Sequence, residues 1–128
     1  REFFRNRFNP LKNKIMALQY SNITGNSAQV LIAKRSVRNN LTGLIDSTFN
    51  ALNIRSVSLA NKHATDAVTV DLYIYDATLG TFYILNNVKI PNGATLNLDN
   101  SDVSFNNADY ELKILLSASD SAVDVIIK

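Results

Sequence analysis

The chain has no cysteine and no tryptophan, one histidine, one methionine, two prolines and four glycines in 128 residues. Without cysteine there is no disulfide, no thiolate metal site and no thiol nucleophile, so folding does not depend on an oxidising compartment. No second histidine exists to share a metal with His63. Among so few glycines there is no P-loop, no G-x-G-x-x-G and no G-x-S-x-G elbow. No stretch approaches the roughly 18–20 apolar residues that cross a bilayer. The N-terminus is charged but has no apolar h-region, so it does not read as a secretory signal. An enzyme is therefore not expected, and neither a cofactor, a metal nor a membrane is called for.

Charge is also scarce: 19% of residues are charged, against an average of about 25%. Seventeen asparagines take their place. Asn tolerates left-handed backbone and suits turns and polar sheet surfaces, so a chain rich in Asn, Ser and Thr reads as β-rich. The charges present are split unevenly. Residues 1–38 carry eight basic residues and one acid, hence +7, while 39–128 carry five and ten, hence −5. A basic end of this kind can dock on an acidic neighbour, including another copy, or on nucleic acid.

The opening stretch, REFFRNRFNPLKNKI, has a net charge of +4 and three phenylalanines. Pro10 and three asparagines oppose a helix there, so an extended arm that orders against a partner is the expectation. Its candidate contact residues are Arg1, Phe3, Phe4, Arg5, Arg7, Phe8 and Leu11. The chain opens on Arg1 and its only methionine is Met16; either residues precede Arg1 or Met16 is a native start. Arm 1–16 and domain 17–128 are the expected division.

Beyond the arm, 17–23 and 28–37 read as strands, and 38–53 reads as a loop with an embedded strand. The pattern then sharpens. IRSVSLAN (54–61) sets Val57 and Leu59 opposite Ser56 and Ser58. AVTVDLYIYD (67–76) alternates Val68, Val70, Leu72 and Ile74 with Thr69, Asp71, Tyr73 and Tyr75, the signature of a half-buried antiparallel strand. Further strands are expected at 81–90, 94–98, 110–117 and 122–128, with PNG (91–93) as a turn. Short strands spaced by turns predict an all-β antiparallel sandwich, jelly-roll or Ig-like, of about 7–8 strands. The short connections predict that successive strands are neighbours.

Candidate sites are sparse. His63, in ANKHATD, reads as a solvated loop histidine within reach of Asp66. Asp99, Asp102 and Asp109 form an oxygen-rich loop that could hold calcium, but it lacks the glycine and terminal glutamate of an EF-hand loop and is equally explained by turn capping. Tyr73 and Tyr75 stand on the polar face of a strand, with Tyr83 expected beside them. Such tyrosines either pair across strands or meet a partner.

The stretch 70–128 resembles small β-sandwich virion proteins of tailed bacteriophages, especially marine and cyanobacterial phages. The likeness rests on Val70 to Asp76, Phe82 to Leu85, Val88 to Gly93 with Ala94 to Leu98, Tyr110 to Leu115, and Ala122 to Lys128. It implies a structural subunit of a virion: a capsid decoration, neck or tail-associated protein that contacts other virion proteins and copies of itself. The alternative reading is an adhesion or carbohydrate-binding module of a tail or fibre.

Overall fold

The computed structural model describes residues 19–35 and 50–128. The expected arm, with Arg1, Phe3, Phe4, Arg5, Arg7, Phe8 and Leu11, lies outside the described residues, as does most of segment 38–53. The described chain forms eight strands: β1 Gln19–Thr24, β2 Gln29–Ile32, β3 Ser56–Asn61, β4 Val68–Asp76, β5 Gly80–Ile90, β6 Thr95–Asp99, β7 Glu111–Leu116 and β8 Ala122–Ile127. A 3-10 turn, Ala51–Asn53, precedes β3, and a short helix α1, Asn100–Val103, follows β6. No helix among the described residues is long and apolar enough to cross a membrane.

Every pairing is antiparallel. The first sheet has the order β1-β8-β3-β6 and the second β2-β7-β4-β5. Strand one lies beside eight, two beside seven, three beside six and four beside five, so the chain is a long hairpin closed at the β4–β5 turn and rolled into two layers. That is the jelly-roll arrangement of two Greek keys, and it sets aside the Ig-like alternative.

The loops carry a correction. Of the consecutive strands, only β4 and β5 pair with each other. The connections at 91–94 and 117–121 are short, yet each carries the chain from one sheet to the other. Four or five residues of extended chain span more than the ~10 Å between packed sheets, so a short loop suffices to change layers.

The core follows from the period of two. Val57 and Leu59 of β3, Val123, Val125 and Ile127 of β8, Val68, Val70 and Leu72 of β4, and Leu112, Ile114 and Leu116 of β7 are all buried. Each such side chain contributes roughly 1.5–3 kcal/mol through removal from water. Ile54, Val103 and Phe105 close the lower end, where β4–β5 and β6–β7 connect.

Buried asparagines join the loops to this core. Asn107 is fully buried; its Oδ1 accepts the Ala51 N–H (3.1 Å) and its carbonyl accepts the Arg35 N–H (2.8 Å). At the upper end, Asn61 Nδ2 donates to the carbonyls of Asp66 and Ile90, and its Oδ1 accepts the His63 N–H, all at 3.0 Å. Gly93, at φ +77°, lets the PNG turn close with its N–H on the Asn61 carbonyl at 2.9 Å.

Asp76 fixes the β4–β5 turn. Its Oδ2 accepts the N–H groups of Thr78 (2.9 Å) and Leu79 (2.8 Å), and its Oδ1 meets Lys34 beyond the end of β2. The Lys34 ammonium, with these two N–H groups, holds the Asp76 carboxyl down at about 2.

Candidate functional site

Alternation along β4 and β7 places one set of residues on the outer surface of the second sheet. Register makes a row of Val30, Lys113, Tyr73 and Tyr83, one from each strand. At a strand spacing near 4.8 Å the row runs about 14 Å. Tyr83 and Val30 are half exposed. Tyr73 and Tyr83 sit directly opposite each other, ring centroids 5.2 Å apart and planes tilted by 42°. Burial and the neighbouring Tyr83 push the Tyr73 phenol above its ordinary range. Tyr75 lies in the next row between Glu111 and Thr81, with the Lys113 ammonium 4.9 Å from its ring centroid. The expected cross-strand tyrosine pairing is therefore present, and Tyr83 still offers part of its surface to solvent.

On the other side of that row the edge strand β5 is interrupted. Val70 pairs with Val88 and Leu72 with Leu85, so Asn86 and Asn87 together face the single residue Asp71. Tyr73 then pairs with Tyr83, which leaves Ile84 as a second extra residue. Ile84 and Leu85, adjacent in sequence, consequently both pack against the core. The first bulge is pinned by Asp71, whose Oδ1 accepts the Asn87 N–H at 2.7 Å. Asn87 adopts a left-handed φ of 55°, a conformation Asn accepts more readily than most residues. Beside it lies a shallow depression of about 270 Å³, bounded by Asn26, Thr69, Asp71, Asn87, Leu115, Leu116 and Ser117.

The upper corner holds the other cluster. Ligand atoms of His63, Asp66 and Asp120 lie within 4.8 Å of one another. His63 Nδ1 accepts the N–H groups of Thr65 (3.1 Å) and Asp66 (2.9 Å), and Nε2 faces Asp120 Oδ2 at 3.0 Å. Two donors aimed at Nδ1 assign the ring proton to Nε2, which donates to Asp120. A metal takes imidazole through a bare nitrogen, while the other nitrogen usually donates. Here a metal on Nε2 would need Nδ1–H to face two N–H groups. The donor set suits a hydrogen-bonded joint between the β3–β4 and β7–β8 loops better than a metal. His63 is thus not the solvated loop residue expected: its side chain is 19% exposed. The contact with the Asp66 backbone was anticipated; the one with Asp120 was not, because 57 residues separate the partners.

The acidic loop at 99–109 resolves into caps. Asp99 Oδ1 accepts the Ser101 N–H (3.0 Å) and hydroxyl (2.6 Å), and Asp102 Oδ2 accepts the Asp99 N–H (3.3 Å). These bonds to Ser101 hold the Asp99 carboxyl below its ordinary range. Asp109 accepts from the Asn106 amide at 3.0 Å. Capping of α1 accounts for Asp99 and Asp102, and the D-x-x-D spacing was the signal for it.

No family model and no curated protein matches the chain. Among solved structures, the chain is similar to the crystal structure of the Yersinia pseudotuberculosis-derived mitogen, at 12% identity and a TM-score of 0.39, over 87% of this chain and 81% of that one.

Proposed function

We propose that the chain is a structural subunit of a virion, in a capsid decoration layer, a neck or a tail, and acts by protein–protein assembly rather than catalysis. The observation that carries the reading is the filled interior. Aliphatic side chains from both sheets occupy the space between the layers, which leaves the surface to do the work. Jelly rolls recur in viral capsid and lectin domains; that is analogy of fold and no more. The phage-like stretch 70–128 spans β4 to β8, so the resemblance follows a continuous run of five strands.

In this reading the partners are other virion proteins and further copies of the chain. The basic segment 1–15 reaches a neighbour, where Phe3, Phe4, Phe8 and Leu11 leave water while its arginines meet carboxylates. Incorporation into particles tests the idea. A chain lacking residues 1–15 is expected to fold and melt like the full chain but to be missing from purified particles. Normal incorporation of the truncated chain would overturn the arm as tether. Absence of the full chain from every particle would overturn the virion reading itself. If the basic segment contacts nucleic acid instead, binding falls steeply with salt.

A further inference from the structure

We infer that the depression beside the β5 bulge is a binding site for a neutral saccharide, with Tyr73 and Tyr83 as its aromatic border. The inference stands apart from the assembly reading. A pyranose presents two kinds of surface: hydroxyls that donate and accept, and a C–H face that packs on an aromatic ring. The outer face of the second sheet supplies both within two adjacent rows. Asp71 and Leu115 form one row and Tyr73 with Lys113 the next, on the same face of β4 and β7.

The polar groups around the depression are available. Asp71 uses Oδ1 on the bulge, and its second oxygen has no protein partner among the described residues. Ser117 Oγ accepts the Thr69 N–H at 3.0 Å and keeps its own proton to donate. The side-chain amides of Asn26 and Asn87 and the Thr69 hydroxyl make no protein hydrogen bond among the described residues. A carboxylate, two amides and two hydroxyls thus converge on one hollow whose apolar part is Leu115 with Leu116. So many uncommitted donors and acceptors beside a leucine floor suit a polyhydroxylated ligand with a C–H face better than a lipid or an apolar peptide. The Asp71 carboxylate disfavours acidic sugars.

The backbone supports the same assignment. Bulges re-aim side chains and are frequent beside functional sites. Here the Asp71–Asn87 bond holds the bulge and places both residues at the hollow. One carboxylate therefore builds the site and lines it.

The test is a two-dimensional N–H correlation NMR titration of the labelled full chain. The probes are methyl glucoside, methyl galactoside and methyl mannoside, followed by maltotriose, cellotriose and mannotriose. At least one probe should give saturable shifts confined to residues 69–73, 83–88 and 115–117. Its affinity should fall about tenfold or more, equivalent to ~1.4 kcal/mol, in Tyr83→Ala and in Asp71→Asn. Asp71→Asn keeps an acceptor for the Asn87 N–H, and Asn87→Gly suits the left-handed backbone, so both variants separate lost ligand contacts from lost fold. The inference is overturned if no probe gives saturable shifts, if the shifts fall elsewhere, or if these three variants bind as the parent does.

Discussion

Across the first sheet, register sets Tyr20, Ile126, Ser58 and Asn97 in one outer row; across the second it sets Val30, Lys113, Tyr73 and Tyr83. On β3 the outward residues Ser56, Ser58 and Ala60 are all small, whereas β4 presents Asp71, Tyr73 and Tyr75. The inner faces show no such difference: both are filled by Val, Leu and Ile. The fold therefore asks the same of both sheets, and the contrast outside is free to serve contact with other molecules. The second sheet thus presents a tyrosine pair beside Lys113, whereas the first presents Tyr20 and Ile126 beside small polar residues.

If the inner faces are equivalent, they should fail together. Leu59→Ala in the first sheet and Leu112→Ala in the second are each expected to cost roughly 2–5 kcal/mol. Denaturant unfolding should show one transition in both variants; separate transitions for the two sheets would break the shared-core account. Asn61→Ala comes next, at about 1–3 kcal/mol, since it strips partners from a buried joint. Asn97→Ala, on the exposed outer face of the first sheet, should stay within about 0.5 kcal/mol. Equal effects in chemical denaturation would refute the distinction between joint and surface.

Below the Asn61 effect comes the coupling across the outer face of the second sheet. A double-mutant cycle on Tyr73 and Tyr83 should return about 0.5–1.5 kcal/mol. The Ser58–Asn97 pair, whose groups lie 2.8 Å apart in solvent, should return a value near the low end of about 0.2–1 kcal/mol. A reversed order would remove the contrast between the faces.

Acid probes the lower end. Asp76 has a folded value of about 2 against an ordinary 3.8. Its contribution is complete above the ordinary value and is lost as pH falls through about 2, because the unfolded chain takes up the proton first. Lys34→Met removes the largest cause of the depression, so the acid limb of stability should move to higher pH. An unchanged limb in thermal melts between pH 4 and pH 2 would show that Lys34 does not set the Asp76 value.

The strands were legible wherever one face is buried and one is wet. In 67–76, 110–117 and 122–128 the period of two locates both strand and inner face. The PNG turn announced itself by residue type. Topology was not legible, because loop length constrains how far the chain travels but not which layer it enters. The β5 bulges were hidden for a different reason: Ile84 and Leu85 both face inward, so 81–90 passes for one uninterrupted strand. The polar pair Asn86–Asn87 was the trace left in the sequence. At the candidate site, Tyr73, Tyr75 and Tyr83 were read from alternation alone. Asp71, Asn87 and Ser117 were not, since their proximity depends on three strands meeting. Asn61 and Asn107 were counted with the turn-forming asparagines, yet both are buried joints, a distinction that only long-range packing makes.

The doubly bulged edge has a consequence for a crowded population of these molecules. At eleven residues β5 is the longest strand among the described residues, and it borders its sheet. An even edge of that length would invite another chain to zip onto its free N–H and C=O groups and start a fibril. Two extra residues spoil the repeat a straight strand would need. The kink beside the hollow thus also guards this edge against strand pairing with another chain.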